Sequence, residues 1–122
     1  MNQLKPNPLR DKSYLFAIEI VKICQNIINE KKEFVLSKQL LRSGTSIGAN
    51  IEEANQAESK SDFIHKLSVS NKEAFETYYW LRILRDTNYI ESVAANHLLL
   101  QCEELLKILT ASIKSAKGSR KK

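Results

Sequence analysis

Residues 36–54 read LSKQLLRSGTSIGANIEEA, and this stretch sets the architecture of the chain. Apolar or small residues recur in it every three or four positions, the spacing that places side chains on one side of an α-helix. They are Leu40, Leu41, Gly44, Ile47, Gly48, Ile51 and Ala54. We predict this helix over roughly 37–57, with Ser37 as its N-cap. Glycine within a helix costs about 1 kcal/mol relative to alanine, so Gly44 and Gly48 indicate the close approach of a neighbouring helix.

The same periodicity predicts three further helices, at roughly 11–32, 60–86 and 91–117. Their apolar stripes comprise Phe16, Ile20, Ile23, Cys24 and Ile27; then Phe63, Leu67, Ser70, Ala74, Leu81 and Leu84; and finally Ala94, Leu98, Cys102, Leu105, Leu109 and Ile113. Each helix has one apolar stripe to bury, so the four must pack together, and their short connections make sequential neighbours antiparallel. The sequence therefore predicts an all-α protein, an antiparallel up-down four-helix bundle.

Polar residues mark the expected starts of these helices. Asp11 or Ser13 is the expected N-cap of the first helix. Ser59, followed three residues later by Asp62, resembles a capping box at the start of the third helix. Ser92 is the expected cap of the fourth helix.

Two short breaks complete the domain organisation. Thr87 and Asn88 are expected to end the third helix, and Gly118 with Ser119 the fourth. We find no linker that would divide the chain. Residues 1–118 are therefore expected to form a single four-helix-bundle domain, and residues 119–122 a free basic tail.

The net charge of +5 lies entirely in the last twelve residues of the chain. Residues 111–122 contain no acidic residue, so residues 1–110 are neutral overall. The basic residues of this end are Lys114, Lys117, Arg120, Lys121 and Lys122. Such residues either contact nucleic acid through counterion release or stay solvated, with the first lysines complementing a helix C-terminus. We predict them as the nucleic-acid-binding residues.

Composition also bounds the location of the protein. No stretch approaches the roughly 18 uncharged apolar residues of a membrane span, and the N-terminus has no apolar core of a signal peptide. We therefore expect a cytoplasmic protein without a membrane partner. Cys24 and Cys102 fall among apolar helix positions, which indicates two buried reduced thiols, with a disulfide between them as the alternative.

Few residues are arranged for catalysis or metal binding. A di-iron bundle needs two Glu-x-x-His pairs, and the nearest match is Asp62-x-x-His65 alone, which is typical of a surface histidine. His97 lies at the margin of an apolar stripe, where packing or an interface is the expected role. No glycine loop is placed to cradle a phosphate. We expect no catalytic residue, metal, cofactor or small-molecule substrate, and thus no enzyme.

Two polar stripes flank the apolar sides of the second and third predicted helices. The second-helix stripe contains Gln39, Ser43, Ser46, Asn50 and Glu53, with Arg42 at its edge. The third-helix stripe contains Val69, Glu73, Glu76, Trp80 and Ile83. Tryptophan among charged residues is typical of interfaces, and an ordinary partly exposed tryptophan is the alternative. We predict a self-association interface formed by Arg42, Ser46, Asn50, Glu73, Glu76 and Trp80.

The hairpin between these helices aligns the two stripes. Its turn is centred near residues 58–59, so Arg42 and Glu76 lie at about the same height. The sequence leaves open whether they pair within one subunit or between two.

Several stretches resemble a known family. They are Lys12-Ser13-Tyr14 with Phe16-Ala17, the run 36–54 quoted above, Asp62-Phe63-Ile64, Leu67-Ser68, Lys72-Glu73-Ala74, Glu76-Thr77 and Tyr79-Trp80-Leu81-Arg82. On these residues the chain resembles bacterial four-helix-bundle proteins first named after intervening sequences in 23S ribosomal RNA genes. Members of that family resemble the accessory proteins of diversity-generating retroelements, which form ring-like pentamers, bind nucleic acid through a basic surface and partner a reverse transcriptase. This chain departs from the accessory proteins because residues 1–110 are not net basic.

Three functional hypotheses follow. The first is a non-catalytic, homo-oligomeric scaffold, pentameric if it assembles as those accessory proteins do, that engages RNA or a ribonucleoprotein. The second is a protein–protein interaction adaptor with no nucleic-acid role. The third is a helical nuclease or metalloenzyme, which the arrangement of histidines disfavours. Salt-dependent RNA binding separates the first two hypotheses.

Overall fold

A computed structural model describes residues 7–120, with side chains described through Gly118. Four helices occur in this part of the chain: α1 (Pro8–Asn26), α2 (Leu36–Ala54), α3 (Lys60–Asp86) and α4 (Ser92–Arg120). A π-helical turn, Ile27–Lys31, extends α1, and Lys32 ends it in the left-handed conformation, with a φ of 54°. The predicted all-α four-helix architecture is confirmed.

The contacts between helices show how the bundle closes. α1 packs on α2, α2 on α3 and α3 on α4, and α4 returns to α1 through a less extensive seam. In each pair, residues early in one helix contact residues late in the other. Gly48 lies against Ser13, for example, and the Cys24 thiol donates to the Ser37 carbonyl at 3.4 Å. Sequential helices are thus antiparallel, as expected from their short connections.

The first helix begins earlier than predicted. The Asn7 side chain accepts a hydrogen bond from the Arg10 N–H at 3.0 Å, and Pro8 opens the helix. Proline suits the first turn because its missing N–H would have no intrahelical partner there. Asp11 therefore lies in the first turn, and Ser13 is a buried helix residue whose hydroxyl donates to the Arg10 carbonyl. Neither is the N-cap, so that prediction is wrong.

The start of α2 is capped by a carboxylate from outside the helix. Glu33 accepts from the N–H groups of Val35 and Leu36, both at 3.0 Å, and of Ser37 at 2.8 Å. Ser37 is fully buried inside the helix, and its hydroxyl donates to the Glu33 carbonyl. The predicted Ser37 cap is thus wrong, because the Glu33 carboxylate takes the free N–H groups that a cap would accept.

The two ends of α3 agree with prediction. The Ser59 hydroxyl accepts from the Asp62 N–H at 3.1 Å, which confirms Ser59 as the N-cap. The helix stops at Asp86, and Asn88 adopts the left-handed conformation with a φ of 69°. Asparagine tolerates that conformation better than most residues, so Thr87 and Asn88 form the predicted break.

The fourth helix differs from prediction at both ends. It includes Ser92 as its first residue, and the preceding Glu91 carbonyl accepts from the Ala95 N–H at 2.9 Å. Ser92 thus lies within the helix rather than before it. At the other end, α4 continues to Arg120, so Gly118 and Ser119 do not end it. Of the predicted tail, Lys121 and Lys122 lie outside the described residues.

The core follows the predicted stripes with one shift. The side chains that are almost completely buried include Phe16, Ile20, Ile27, Leu40, Ile47, Ile51, Leu67, Leu81, Leu84, Leu105 and Leu109. Ala94, a predicted core residue, is exposed, whereas Ala95 is fully buried. Both alanines fit a three- or four-residue spacing to Leu98, and only the rotation of α4 selects Ala95.

Several hydroxyl side chains are buried with the core, and each forms a hydrogen bond. The Ser70 hydroxyl donates to the Ile47 carbonyl at 2.8 Å, which links α3 to α2. Thr77 donates to the Ser43 hydroxyl at 3.0 Å across the same pair. Such hydrogen bonds offset the cost of burying hydroxyls.

Both cysteines are free and buried. The Cys102 thiol donates to the Ala74 carbonyl at 3.2 Å. Burial raises the pKa of Cys24 and of Cys102 to about 12, so both stay protonated at neutral pH. The prediction of two reduced buried thiols is confirmed, and the disulfide alternative is wrong.

No helix between residues 7 and 120 is both long and apolar enough to cross a membrane.

Candidate functional site

Arg42 bridges α2 to α3 at the centre of the predicted interface. Its guanidinium donates to Glu73 Oε1 at 3.1 Å and to Glu76 Oε2. Trp80 donates its indole N–H to the same Glu76 carboxylate at 2.9 Å. Arg42, Glu73, Glu76 and Trp80 therefore form one hydrogen-bonded group, which we call the α2–α3 cluster. The structure thus shows Arg42 and Glu76 pairing within one chain.

Electrostatics stabilise the charged forms in this cluster. The Trp80 indole and the Arg42 guanidinium lower the pKa of Glu76 below its ordinary value of 4.5, despite partial burial. The Glu76 carboxylate in turn raises the pKa of Arg42. Arg42 is 47% exposed, so solvent screens these pairs and they contribute little to stability. Their main effect is to hold Trp80 and its carboxylate partner in a fixed orientation.

The other two predicted interface residues lie along α2 beside the cluster. The Ser46 hydroxyl donates to the Arg42 carbonyl at 2.6 Å, and the Asn50 amide donates to the Ser46 carbonyl at 2.8 Å. Both side chains bond to their own helix and remain partly exposed. Ser43, which the sequence placed in the same stripe, is instead fully buried beneath Thr77.

Two exposed aromatic residues of α3 were not part of the prediction. Phe75 is 61% exposed and Tyr79 is 53% exposed, one helical turn apart on α3. Tyr79 meets Trp80 edge to face, with ring centroids 5.3 Å apart. Trp80 itself is partly buried against the core. The sequence signal was available, because Phe75 and Tyr79 are out of phase with the apolar stripe of α3.

The structure describes the side chains of two of the predicted nucleic-acid-binding residues, Lys114 and Lys117. Lys114 and Lys117 are exposed on α4 and line a groove of about 510 Å³ with Asn71, Thr110 and Ile113. Neither lysine forms a salt bridge with another described residue. The Arg120 backbone belongs to α4. Lys121 and Lys122 lie outside the described part of the chain.

The histidines occupy the surface. His65 is exposed on α3. His97 is 63% exposed on α4, with its Nε2 atom 3.6 Å from Glu19 Oε1 of α1. Within residues 7–120, no group of three or more His, Cys, Asp or Glu residues is placed to hold a metal ion.

The chain is similar to known proteins in both sequence and fold. Residues 7–111 match the family described as 23S rRNA-intervening sequence protein. A crystal structure of a protein of unknown function from the S23 ribosomal protein family of Bacteroides thetaiotaomicron is 51% identical to this chain. The alignment covers 87% of this chain and 98% of that one, with a TM-score of 0.86. No curated protein matches the sequence.

Proposed function

Because the chain belongs to the 23S rRNA-intervening sequence protein family, we propose that it is a non-catalytic, homo-oligomeric helical scaffold. In this proposal it acts in the cytoplasm and engages RNA or a ribonucleoprotein. The self-associating surface combines the α2–α3 cluster with Ser46, Asn50 and the exposed ring of Tyr79. A pentamer is the assembly that the family resemblance favours.

The observation that carries self-association is the aromatic surface of α3. Interfaces are enriched in tryptophan, tyrosine and arginine, and these residues contribute most when their orientation is fixed before binding. Trp80 is held by Glu76, which is held by Arg42, and Tyr79 packs against the Trp80 ring. Burying such a surface against a second copy would therefore require little rearrangement.

The basic residues of α4 support RNA engagement. Lys114 and Lys117 are exposed and have no carboxylate partner among the described residues. Lysines without a salt bridge gain more free energy from phosphate contacts than paired lysines do, because no existing salt bridge has to be broken. In an oligomer several copies of this end would act together by effective concentration.

The adaptor hypothesis has its own support. Residues 1–110 are neutral overall, and the exposed ring of Tyr79 would serve a protein partner as well as a second copy. RNA binding by the intact protein decides between the two. Undetectable binding of single-stranded RNA at low salt would favour the adaptor.

Self-association is tested by charge placed on the aromatic surface. Trp80→Lys and Tyr79→Lys should each yield monomers with unchanged helicity, measured by light scattering after size exclusion and by circular dichroism. Lysine is used because it can pair with Glu73 and Glu76 rather than repel them. Tyr14→Lys, on the α1 surface at 62% exposure, is the matched control and should leave the particle mass unchanged. Wild-type protein that runs as a monomer at micromolar concentration would refute self-association.

A further inference from the structure

Two segments without acidic residues lie side by side at one end of the bundle. Residues 63–72 of α3 and 105–120 of α4 contain no aspartate or glutamate. Together they carry Lys66, Lys72, Lys107, Lys114, Lys117 and Arg120. Lys66 pairs with Glu53 of α2 at 2.8 Å, so the excess of positive charge comes from the others. Residues 1–110 have no net charge as a whole, but their charges are not evenly distributed. The end of the bundle that holds these two segments has an excess of positive charge.

Contacts across the helices fix the register of the two segments. The Tyr78 hydroxyl donates to the Glu103 carboxylate at 2.7 Å. Asn71, seven residues before Tyr78, shares the groove with Thr110, seven residues after Glu103. The Cys102 thiol donates to the Ala74 carbonyl, so in this antiparallel pair Phe75 lies level with the stretch between Cys102 and Leu106 of α4.

Lys114 and Lys117 of α4 line this groove, and Lys107 lies about two turns before Lys114, beside Glu103 and Glu104. Lys107, Lys114 and Lys117 are exposed, and their spacing of seven and three residues keeps them on one side of the helix. At a rise of 1.5 Å per residue, Lys107 and Lys114 are about 10 Å apart along the axis. None of the three forms a salt bridge with a described residue.

The nearest acidic residues of α4 are engaged elsewhere. Glu103 accepts from the Tyr78 hydroxyl, and Glu104 pairs with Lys12 of α1 at 3.0 Å. The groove itself offers donors. The Asn71 carboxamide and the Thr110 hydroxyl form no hydrogen bond within the described part of the chain, so both can donate to a phosphate.

Phe75 adds an aromatic face next to this groove. Its ring is 61% exposed and is one helical turn from Asn71 on the same side of α3. A basic track beside an exposed aromatic ring is the arrangement by which proteins bind single-stranded nucleic acid, with phosphates on the track and a base stacked on the ring.

From this juxtaposition we infer that the α3–α4 groove is a binding site for single-stranded RNA. Lys114 and Lys117 contact backbone phosphates, and Phe75, one turn from Asn71, stacks on a base. The inference rests on the proposed RNA engagement and adds where and how the RNA binds. In this inference the phosphates are contacted by lysines held on the α4 helix, and not by a free tail.

Fluorescence anisotropy with a labelled oligoadenylate tests the stacking part. Phe75→Ala should weaken binding by about 5- to 150-fold, the range for loss of one stacked base. Phe34→Ala, which removes a 58% exposed phenylalanine before α2, should leave the affinity unchanged. An abasic strand of the same length should bind the wild type and Phe75→Ala equally, because it has no base to stack.

The phosphate part is tested by salt dependence. The double variant Lys114→Gln with Lys117→Gln should lower the salt slope by about 1.4, at about 0.7 per single-strand phosphate contact. Lys22→Gln with Lys38→Gln removes two exposed helix lysines far from the groove in sequence and should leave the slope unchanged.

The outcomes separate this inference from the proposed function. The wild type could bind RNA with an affinity and salt slope that neither Phe75→Ala nor the Lys114/Lys117 double variant changes. That result would show that the groove is not the binding site, and it would leave the proposed RNA engagement intact. No RNA binding by the wild type, even at low salt, would overturn both. Circular dichroism of each variant checks that the bundle is folded.

Discussion

At the scale of single residues, the two glycines of α2 are not equivalent. A Cβ atom at Gly44 would lie 2.8 Å from Ile20 Cγ2, a distance that real Cβ atoms do not adopt. A Cβ atom at Gly48 would lie 3.3 Å from Ser13 Oγ and 3.4 Å from the Ser13 carbonyl oxygen. The predicted close packing of α2 is therefore tightest at Gly44, where the neighbour is a fully buried branched side chain.

We predict different outcomes for alanine at these positions. Gly44→Ala should lower the free energy of unfolding by about 1–2 kcal/mol, because overpacking against Ile20 exceeds the gain of about 1 kcal/mol in helix propensity. Gly48→Ala should change it by less than about 0.5 kcal/mol, because the Ser13 hydroxyl can shift by a few tenths of an ångström. Gly48→Leu, with a much larger side chain, should cost about 1–3 kcal/mol. Urea unfolding followed by circular dichroism measures all three.

At the scale of the secondary-structure element, α2 depends on a carboxylate that precedes it. Partial burial disfavours the charge of Glu33, but the backbone N–H groups of Leu36, Ser37 and Val35 outweigh this effect and lower its pKa below 4.5. A depressed pKa means that the folded state favours the charged form. The stabilisation by Glu33 is therefore fully present above pH 4.5 and is lost as the pH falls through the folded-state value.

This cap gives a prediction with a defined pH dependence. Glu33→Ala should lower the free energy of unfolding by about 1 kcal/mol at neutral pH, the typical effect of losing an N-cap. The difference from wild type should shrink as the pH falls below 4.5. Glu30→Ala, an exposed glutamate three residues earlier, is the control. A constant difference across the acid range would show that the Glu33 charge plays no part.

At the scale of the whole molecule, the end of α4 is separable from the core. Leu109 is the last fully buried residue of α4, and Ile113 packs against the core only partly buried. Residues 115–122 contain one apolar side chain, Ala116, and they carry Lys117, Arg120, Lys121 and Lys122. The buried core residues of α4 thus precede the residues that carry the net charge in the sequence.

Deletion of residues 115–122 should therefore leave the bundle folded and weaken RNA binding. Up to about four phosphate contacts per copy are at stake, each contributing about 0.7 to the salt slope on a single strand. Thermal unfolding checks the fold, and anisotropy at two salt concentrations checks the slope. Equal affinity and slope for the full and truncated chains would remove this segment from the binding mechanism.

The sequence by itself determined the four helices, their apolar stripes and the family of the chain. These features are local, because a helix forms from hydrogen bonds four residues apart and its buried face repeats with the same period. The Ser59 cap and the break at Thr87 and Asn88 were predictable for the same reason. The candidate interface residues could be proposed because Trp80 interrupts a charged stripe that is visible in the sequence.

The tertiary structure alone decided which groups meet across helices. It selected Ala95 over Ala94, buried Ser43 beneath Thr77, paired Arg42 with Glu76 within one chain, and set residues 63–72 beside 105–120. Each of these outcomes depends on the rotation and register of one helix against another. Rotation and register are fixed by many core side chains packing at once, and no local period of the sequence specifies them.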